Sequence, residues 1–285
     1  MKLPRPARAA AERAPDGRMT LSEHLYELRN RIVISLIALV VMTIVAYIFH
    51  GHLLHWIEQP YCDLPAKDRA FGEKCQLFAS NVLDPFTITL KLSLYSGLIG
   101  SSPIWLYQVW KFVTPGLYTH ERRYALSFVA ASMGLFALGG VFAWLTLARG
   151  LRFLLGFANG GIVSLLSFNS YLSFVVAMVL VFAVSFELPL LVVMLNLVGV
   201  LSAQRLRQWT RGIVFGIFVF AAVATPSQDP FTMLALAVPM CLLYGVAFMI
   251  ATIHDRRAAR RGPSLYPDLS DDELSSIDDD EPAVT

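Results

Sequence analysis

Between residues 171 and 200 the chain reads YLSFVVAMVLVFAVSFELPLLVVMLNLVGV, an apolar run with one carboxylate, Glu187, two residues before Pro189. At about 1.5 Å of rise per residue such a run forms a helix of roughly 45 Å. The apolar core of a bilayer is about 30 Å thick. The helix therefore spans with length to spare and must tilt or bend, and Pro189, with no N–H, is the expected bend. A carboxylate at mid-membrane costs about 2.5–3.5 kcal/mol or more and by default serves function, as a proton acceptor or as a receiver of a polar group. The alternative is a hydrogen bond that glues neighbouring helices together.

Two further carboxylates sit beside cationic or aromatic residues. In TLSEHLYELRNR (residues 20–31), Thr20 and Glu23 have capping-box spacing. Leu21, Leu25, Leu28 and Ile32 form one apolar stripe, and Glu27 can pair with Arg31 one turn on. The stretch is either an amphipathic surface helix or a solvated lead-in to a spanning one. In SSPIWLYQVWKFVTPGLYTHERRYAL (residues 101–126), Glu121 lies near Trp105, Tyr107, Trp110, Phe112 and Tyr118 and directly before Arg122 and Arg123. A carboxylate among aromatic rings suits a guanidinium, by bidentate hydrogen bonds and stacking. The other reading is a loop glutamate screened by its own arginines. Cys62 and Cys75 share one hydrophilic loop, where an oxidising compartment permits a disulfide; Cys241 lies in an apolar run and reads as a packing residue.

The sequence has no phosphate-binding loop, no His-Glu-x-x-His and no Gly-x-Ser-x-Gly, and its six histidines lie in loops or at segment ends. Neither catalysis nor a metal or other cofactor is expected.

These residues need a membrane scaffold. The 285-residue chain is 56% hydrophobic and only 15% charged, with a mean hydropathy of +0.57, which excludes an ordinary soluble domain. Six spans are expected, at residues 32–49, 86–105, 124–147, 171–200, 212–224 and 231–253. The fifth holds only thirteen residues between Arg211 and Thr225, about 20 Å as a helix, which calls for a thinned bilayer or a shielding partner. Pro239 is expected to bend the sixth. Of the 23 Lys and Arg, 17 lie before the first span, after the second and fourth, and after the sixth, against five in the opposite loops. Positive-inside logic places both termini in the cytoplasm. No cleavable leader is expected, because the first apolar run follows a long charged stretch. The expected domains are a disordered N-tail (1–19), an all-α six-helix transmembrane domain (20–253) and a disordered, acidic C-tail (254–285).

Four stretches carry a resemblance: HLYELRNR, PIWLYQVWKFVTPGLYTHERR, YLSFVVAMVLVFAVSFELP and ATPSQDPFTMLALAVPMCLLY. In this order they resemble the TatC subunit of the twin-arginine protein translocase, over most of the chain from about residue 21 to 253. The resemblance implies a cupped six-helix bundle in the bacterial plasma membrane. It implies a receptor for twin-arginine signal peptides of folded precursors, working with TatA/TatB-type single-span subunits, further copies of itself and membrane lipid, and not with nucleic acid. Glu27, Arg29, Phe112 and Glu121 match signal-peptide positions. Glu187 matches a buried glutamate facing the concave pocket, and Thr225 and Asp229 match the outer turn beside the partner-helix surface. Lys91 and Pro60 match further family positions. Departures are Gly245 where Glu is common, Arg149 where Pro is common, and one extra residue at Ser227-Gln228.

Two rival classes remain at this point. A proton-coupled transporter would use Glu187 as relay, but polar residues are scarce in the other helices and no repeated half with broken helices is seen. An intramembrane protease would need a membrane-embedded His or Asp pair.

Overall fold

The computed structural model describes residues 21–65, 77–113, 122–156 and 166–261. Nothing in the sequence interrupts the first helix, α1 (Leu21–Ile48), which contains neither Gly nor Pro. The expected surface segment and the first span are therefore one continuous helix. The loop that follows carries an unexpected helix, α2 (His50–Cys62). Its Leu53, Leu54 and Ile57 stand at helical spacing and pack against buried Ile88, Leu92 and Phe168.

The second expected span is divided. α3 (Asp84–Gly100) stops at Ser101, and α4 (Ser102–Val113) starts afresh. Pro103 is the cause, since it supplies no N–H to the preceding turn and restricts the residue before it. The indole N–H of Trp105 donates instead to the Leu98 carbonyl at 3.0 Å, bridging the break.

After α5 (Arg122–Leu155), the long apolar run also divides as its proline predicts. α6 (Phe168–Ser185) and α7 (Leu188–Leu197) flank a turn at Phe186-Glu187, and Pro189 stands in the first turn of α7.

The fifth expected span is corrected. α8 (Ala203–Ala224) has 22 residues because the Ser202 side chain caps it, accepting from the Arg205 N–H at 3.4 Å. Arginine is a good helix former and here stays exposed at Arg205, Arg207 and Arg211. The helix is about 33 Å long, but its apolar part remains the thirteen residues after Arg211, so what differs from the expectation is the helix start and not the short apolar run. The last helix, α9 (Pro230–Arg261), runs through Pro239 without interruption and continues eight residues past the expected tail boundary.

Four of these helices, together with α6–α7 taken as one, are long and apolar enough to cross a membrane; α3 and α4 fall short because of their break. In lipid, tail contacts are as apolar as helix contacts, so close packing rather than exclusion of water joins the helices. α1 lies along α3, α5 along α6, and α8 along α9. A Cβ on Gly97 would stand 2.7 Å from the Thr43 backbone nitrogen, and one on Gly139 would stand 2.7 Å from the Phe182 carbonyl oxygen. Only glycine permits these approaches. The α6–α7 unit forms the centre: 50% of its most apolar stretch is buried, against 11% for α1. Met178, Phe182 and Phe186 pack there on Ala143, Leu236 and Met240.

Candidate functional site

The first polar cluster joins α1 to α4. Glu27 and Arg31 pair one turn apart, as their spacing predicts. Arg31 is only 8% exposed and reaches across to Gln108 Oε1 at 3.4 Å. Phe112 stacks on His24, with ring centroids 4.4 Å apart and planes 17° from parallel. Arg29 faces the other way, its guanidinium 5.0 Å from the Tyr26 ring centroid. The structure thus brings Glu27 and Phe112 to one face and leaves Arg29 at its edge. Glu121 lies outside the described residues. Beneath the cluster runs a cleft of about 330 Å³ between α1, α3 and α4, lined by Arg31, Ser35, Leu98, Trp105, Gln108 and Phe112 among others. An apolar trough with a buried guanidinium and its half-buried carboxylate partner at its edge suits an extended segment that has both cationic and apolar residues.

The second cluster surrounds Glu187. The Phe186-Glu187 turn positions it, and the absent N–H of Pro189 makes that turn. Ser132 on α5 is fully buried and its hydroxyl donates to Glu187 Oε2 at 2.8 Å. The Trp110 side chain of α4 faces the carboxylate as a further donor. Oε1 is buried and accepts no hydrogen bond of normal geometry from any described residue. The carboxylate therefore retains acceptor capacity toward a group outside the described chain. Just past it, Pro189, Val192, Ile217, Phe220, Met240 and Tyr244 help line an apolar cleft of about 270 Å³ between α7, α8 and α9.

The third cluster is the α8–α9 turn. Asp229 accepts from the Thr232 N–H at 2.9 Å and from the Thr232 hydroxyl, and its own carbonyl receives the Met233 N–H at 3.0 Å. It is the N-cap of α9. Burial alone would raise its pKa, but the hydrogen bonds from Ser227 and Thr232 outweigh it and hold the carboxyl below the usual range. Thr225 is 1% exposed, and its hydroxyl has no partner among the described residues. Gln228 in this turn has a left-handed backbone, at φ 48°.

On the side of α2, Lys91 donates to Asn169 Oδ1 at 2.8 Å and the Tyr171 hydroxyl donates to the Ile57 carbonyl at 2.7 Å, which ties α3 and α2 to α6. Pro60 is buried within α2. Cys62 is disulfide-bonded and Cys241 is free; Cys75 lies outside the described residues. Arg149 lies within α5 and its side chain donates to the Leu145 carbonyl at 3.0 Å. Gly245 has open space where a side chain would stand. No group of three or more His, Cys, Asp or Glu among the described residues could hold a metal ion.

Sequence reasoning did not single out Gln108, Ser132, Trp110 or His24 as site residues. Each acquires its role from a residue far away in the chain. A fourth polar node went unnoticed for the same reason. Asp255 accepts from the Ala203 N–H at 2.7 Å and from the Asn196 side chain at 3.0 Å, fastening the α7–α8 connection to α9.

The fold and these clusters define an all-helical, multi-pass membrane protein that keeps its polar groups at helix breaks and ends. Comparison with known proteins narrows the class. The family model for the Sec-independent protein translocase protein TatC matches residues 23–239. A TatC from Frankia casuarinae is 54% identical over 272 residues, covering 93% of this chain and 75% of the relative. A TatC from Aquifex aeolicus is 32% identical, covering 84% of this chain and 97% of the relative. A crystal structure described as the twin arginine translocase receptor TatC superposes with a TM-score of 0.68 at 32% identity, covering 82% of this chain and all of that one. The chain belongs to the TatC family. Members of that family are protein-translocase components, a transport role rather than a catalytic one.

Proposed function

We propose that this chain is the receptor subunit of a twin-arginine translocase in a bacterial plasma membrane, with six spans and both termini cytoplasmic. The observation that carries this reading is the meeting of α1 and α4. The two motifs that hold the signal-peptide positions, 77 residues apart at the Arg31–Gln108 contact, form one polar face above an apolar cleft. In this reading Glu27 and Glu121 receive the arginine pair of the signal peptide, with Arg29 and Phe112 completing the patch. Glu187, Thr225 and Asp229 mark the side that receives TatA/TatB-type single-span helices, and further copies of the chain complete the complex.

The test is site-specific crosslinking of the full chain in lipid to a twin-arginine peptide, with a Lys-Lys peptide as control. Glu27→Ala should weaken capture by about 1.5–3 kcal/mol, the range for a hydrogen bond to a charged group. Wild-type affinity in that variant, or equal capture of the Lys-Lys peptide, would sink the reading. We further propose that the partner of Cys62 is Cys75. Both should resist alkylation in the native protein and label only after reduction; labelling of either thiol without reductant speaks against the pairing.

A further inference from the structure

α4 carries two stripes of side chains. Trp105, Gln108, Val109 and Phe112, at spacings of three and four, line the cleft against α1. Leu106 and Trp110, also one turn apart, are 3% and 5% exposed and face α5. Leu106 packs with Phe136, and Trp110 lies 5.7 Å from Phe128 between ring centroids. A helix of twelve residues is about 18 Å long and behaves as a short rigid rod. It is joined to α3 through the single non-helical residue Ser101, at the break that Pro103 imposes. A push on the first stripe must therefore be felt at the second.

What the second stripe touches is Glu187. Trp110 on α4 and Ser132 on α5 are the side chains placed as its donors, while the carboxylate itself belongs to the α6–α7 break. Ser132 lies one turn beyond Phe128, the ring on which Trp110 rests. Three separate parts of the bundle thus converge on one group, and one of the three also forms the wall of the recognition cleft.

We propose that α4 couples the two sites. Occupancy of the α1–α4 cleft draws Trp110 away from Glu187 and releases the carboxylate toward a polar group on a partner helix. Trp110 and Ser132 are the positioning residues that hold it until then. The inference rests on the signal-peptide reading above and adds its regulation. Linkage fixes the sign of the effect: if the ligand favours the state in which the Trp110–Glu187 contact is open, then breaking that contact must favour the ligand by the same factor.

The experiment is a thermodynamic cycle on the full chain in lipid nanodiscs. A fluorescent twin-arginine peptide is the probe, and its Lys-Lys version is the control. Trp110→Phe keeps a ring against Phe128 but loses the N–H, and Glu187→Ala removes the acceptor. Each should tighten peptide binding by about fivefold, the lower end of typical coupling between sites. The double variant should bind no more tightly than either single one, because both break the same contact. Unchanged or weakened binding in the single variants, or additive changes in the double, overturns the coupling while leaving the receptor reading intact. Failure of the wild type to prefer the Arg-Arg peptide removes the receptor reading and the coupling with it. If Trp110→Phe does not fold, Trp110→Leu, which also lacks the N–H, takes its place in the cycle, with the same expectation and the same overturning results.

Discussion

Glu187 and Asp229 are both carboxylates placed at an interruption between helices, yet they are used differently. Asp229 turns inward on its own helix end, where the Thr232 N–H and hydroxyl engage both of its oxygens. Glu187 holds one oxygen toward Ser132 and keeps the other, buried, without a hydrogen bond of normal geometry. The first group is consumed by local structure. The second retains a capacity that only an additional polar group can fill. An acidic residue at a helix break is therefore not a functional signal by itself; what matters is how many of its lone pairs the fold has already engaged.

Glu187→Ala should produce the largest effect. The variant should insert, fold and capture peptide more tightly than wild type, while export of a twin-arginine reporter falls close to background, with Glu187→Gln milder. Strong loss of thermal stability in the isolated chain, with unchanged crosslinks from α6–α7 to partner subunits, would make Glu187 the structural equal of Asp229 and erase the contrast. Next comes Gly139, two turns beyond Ser132 on α5, where a Cβ would meet the Phe182 carbonyl at 2.7 Å. Gly139→Leu should part α5 from α6, cost about 1–3 kcal/mol as overpacking does, and withdraw Ser132 from Glu187. A thermal midpoint equal to wild type would show that the close approach is dispensable.

Asp229→Ala should act on stability first, by about 1 kcal/mol as a lost N-cap does, with Asp229→Asn retaining most of the cap. Its pH dependence has a definite sign. The folded-state pKa is depressed, so the stabilisation is present above the ordinary aspartate value of about 3.9 and is lost as pH falls through the lower folded value. The difference in melting temperature between wild type and Asp229→Asn should therefore shrink on acidification below that value. A difference that grows instead would mean that the carboxylate does not cap α9.

The sequence made the apolar runs and one of the two decisive breaks legible, because both depend on local chemistry. Pro189 announced the α6–α7 turn directly. Pro103 is equally visible, but it sits near the end of an apolar run, where local pattern alone does not show that it ends α3. The fifth helix extends beyond its apolar run, so the charges at its start do not mark its boundary. Ser202 sets the true start, and arginines exposed on a helix do not stop it. Glu27, Phe112, Glu187 and Asp229 stand out in the sequence, whereas Gln108, Ser132 and Thr232, which the structure sets against Arg31, Glu187 and Asp229, do not. Thr232 was within reach, since a side chain capping three residues on is a local pattern. Gln108 and Ser132 were not, because a lone polar residue in an apolar helix carries no mark of what lies opposite.

The Asp255 node has a consequence for how the chain is made. The amide of Ala203 and the side chain of Asn196 find this partner on the last described helix. While the ribosome is still building α9, the α7–α8 connection has been synthesised but its acceptor has not. That end of the hairpin must therefore stay wet, or be held by the insertion machinery, until residue 255 emerges. Closure of this corner is then a late event in biogenesis, set by the order of synthesis rather than by the stability of the finished bundle.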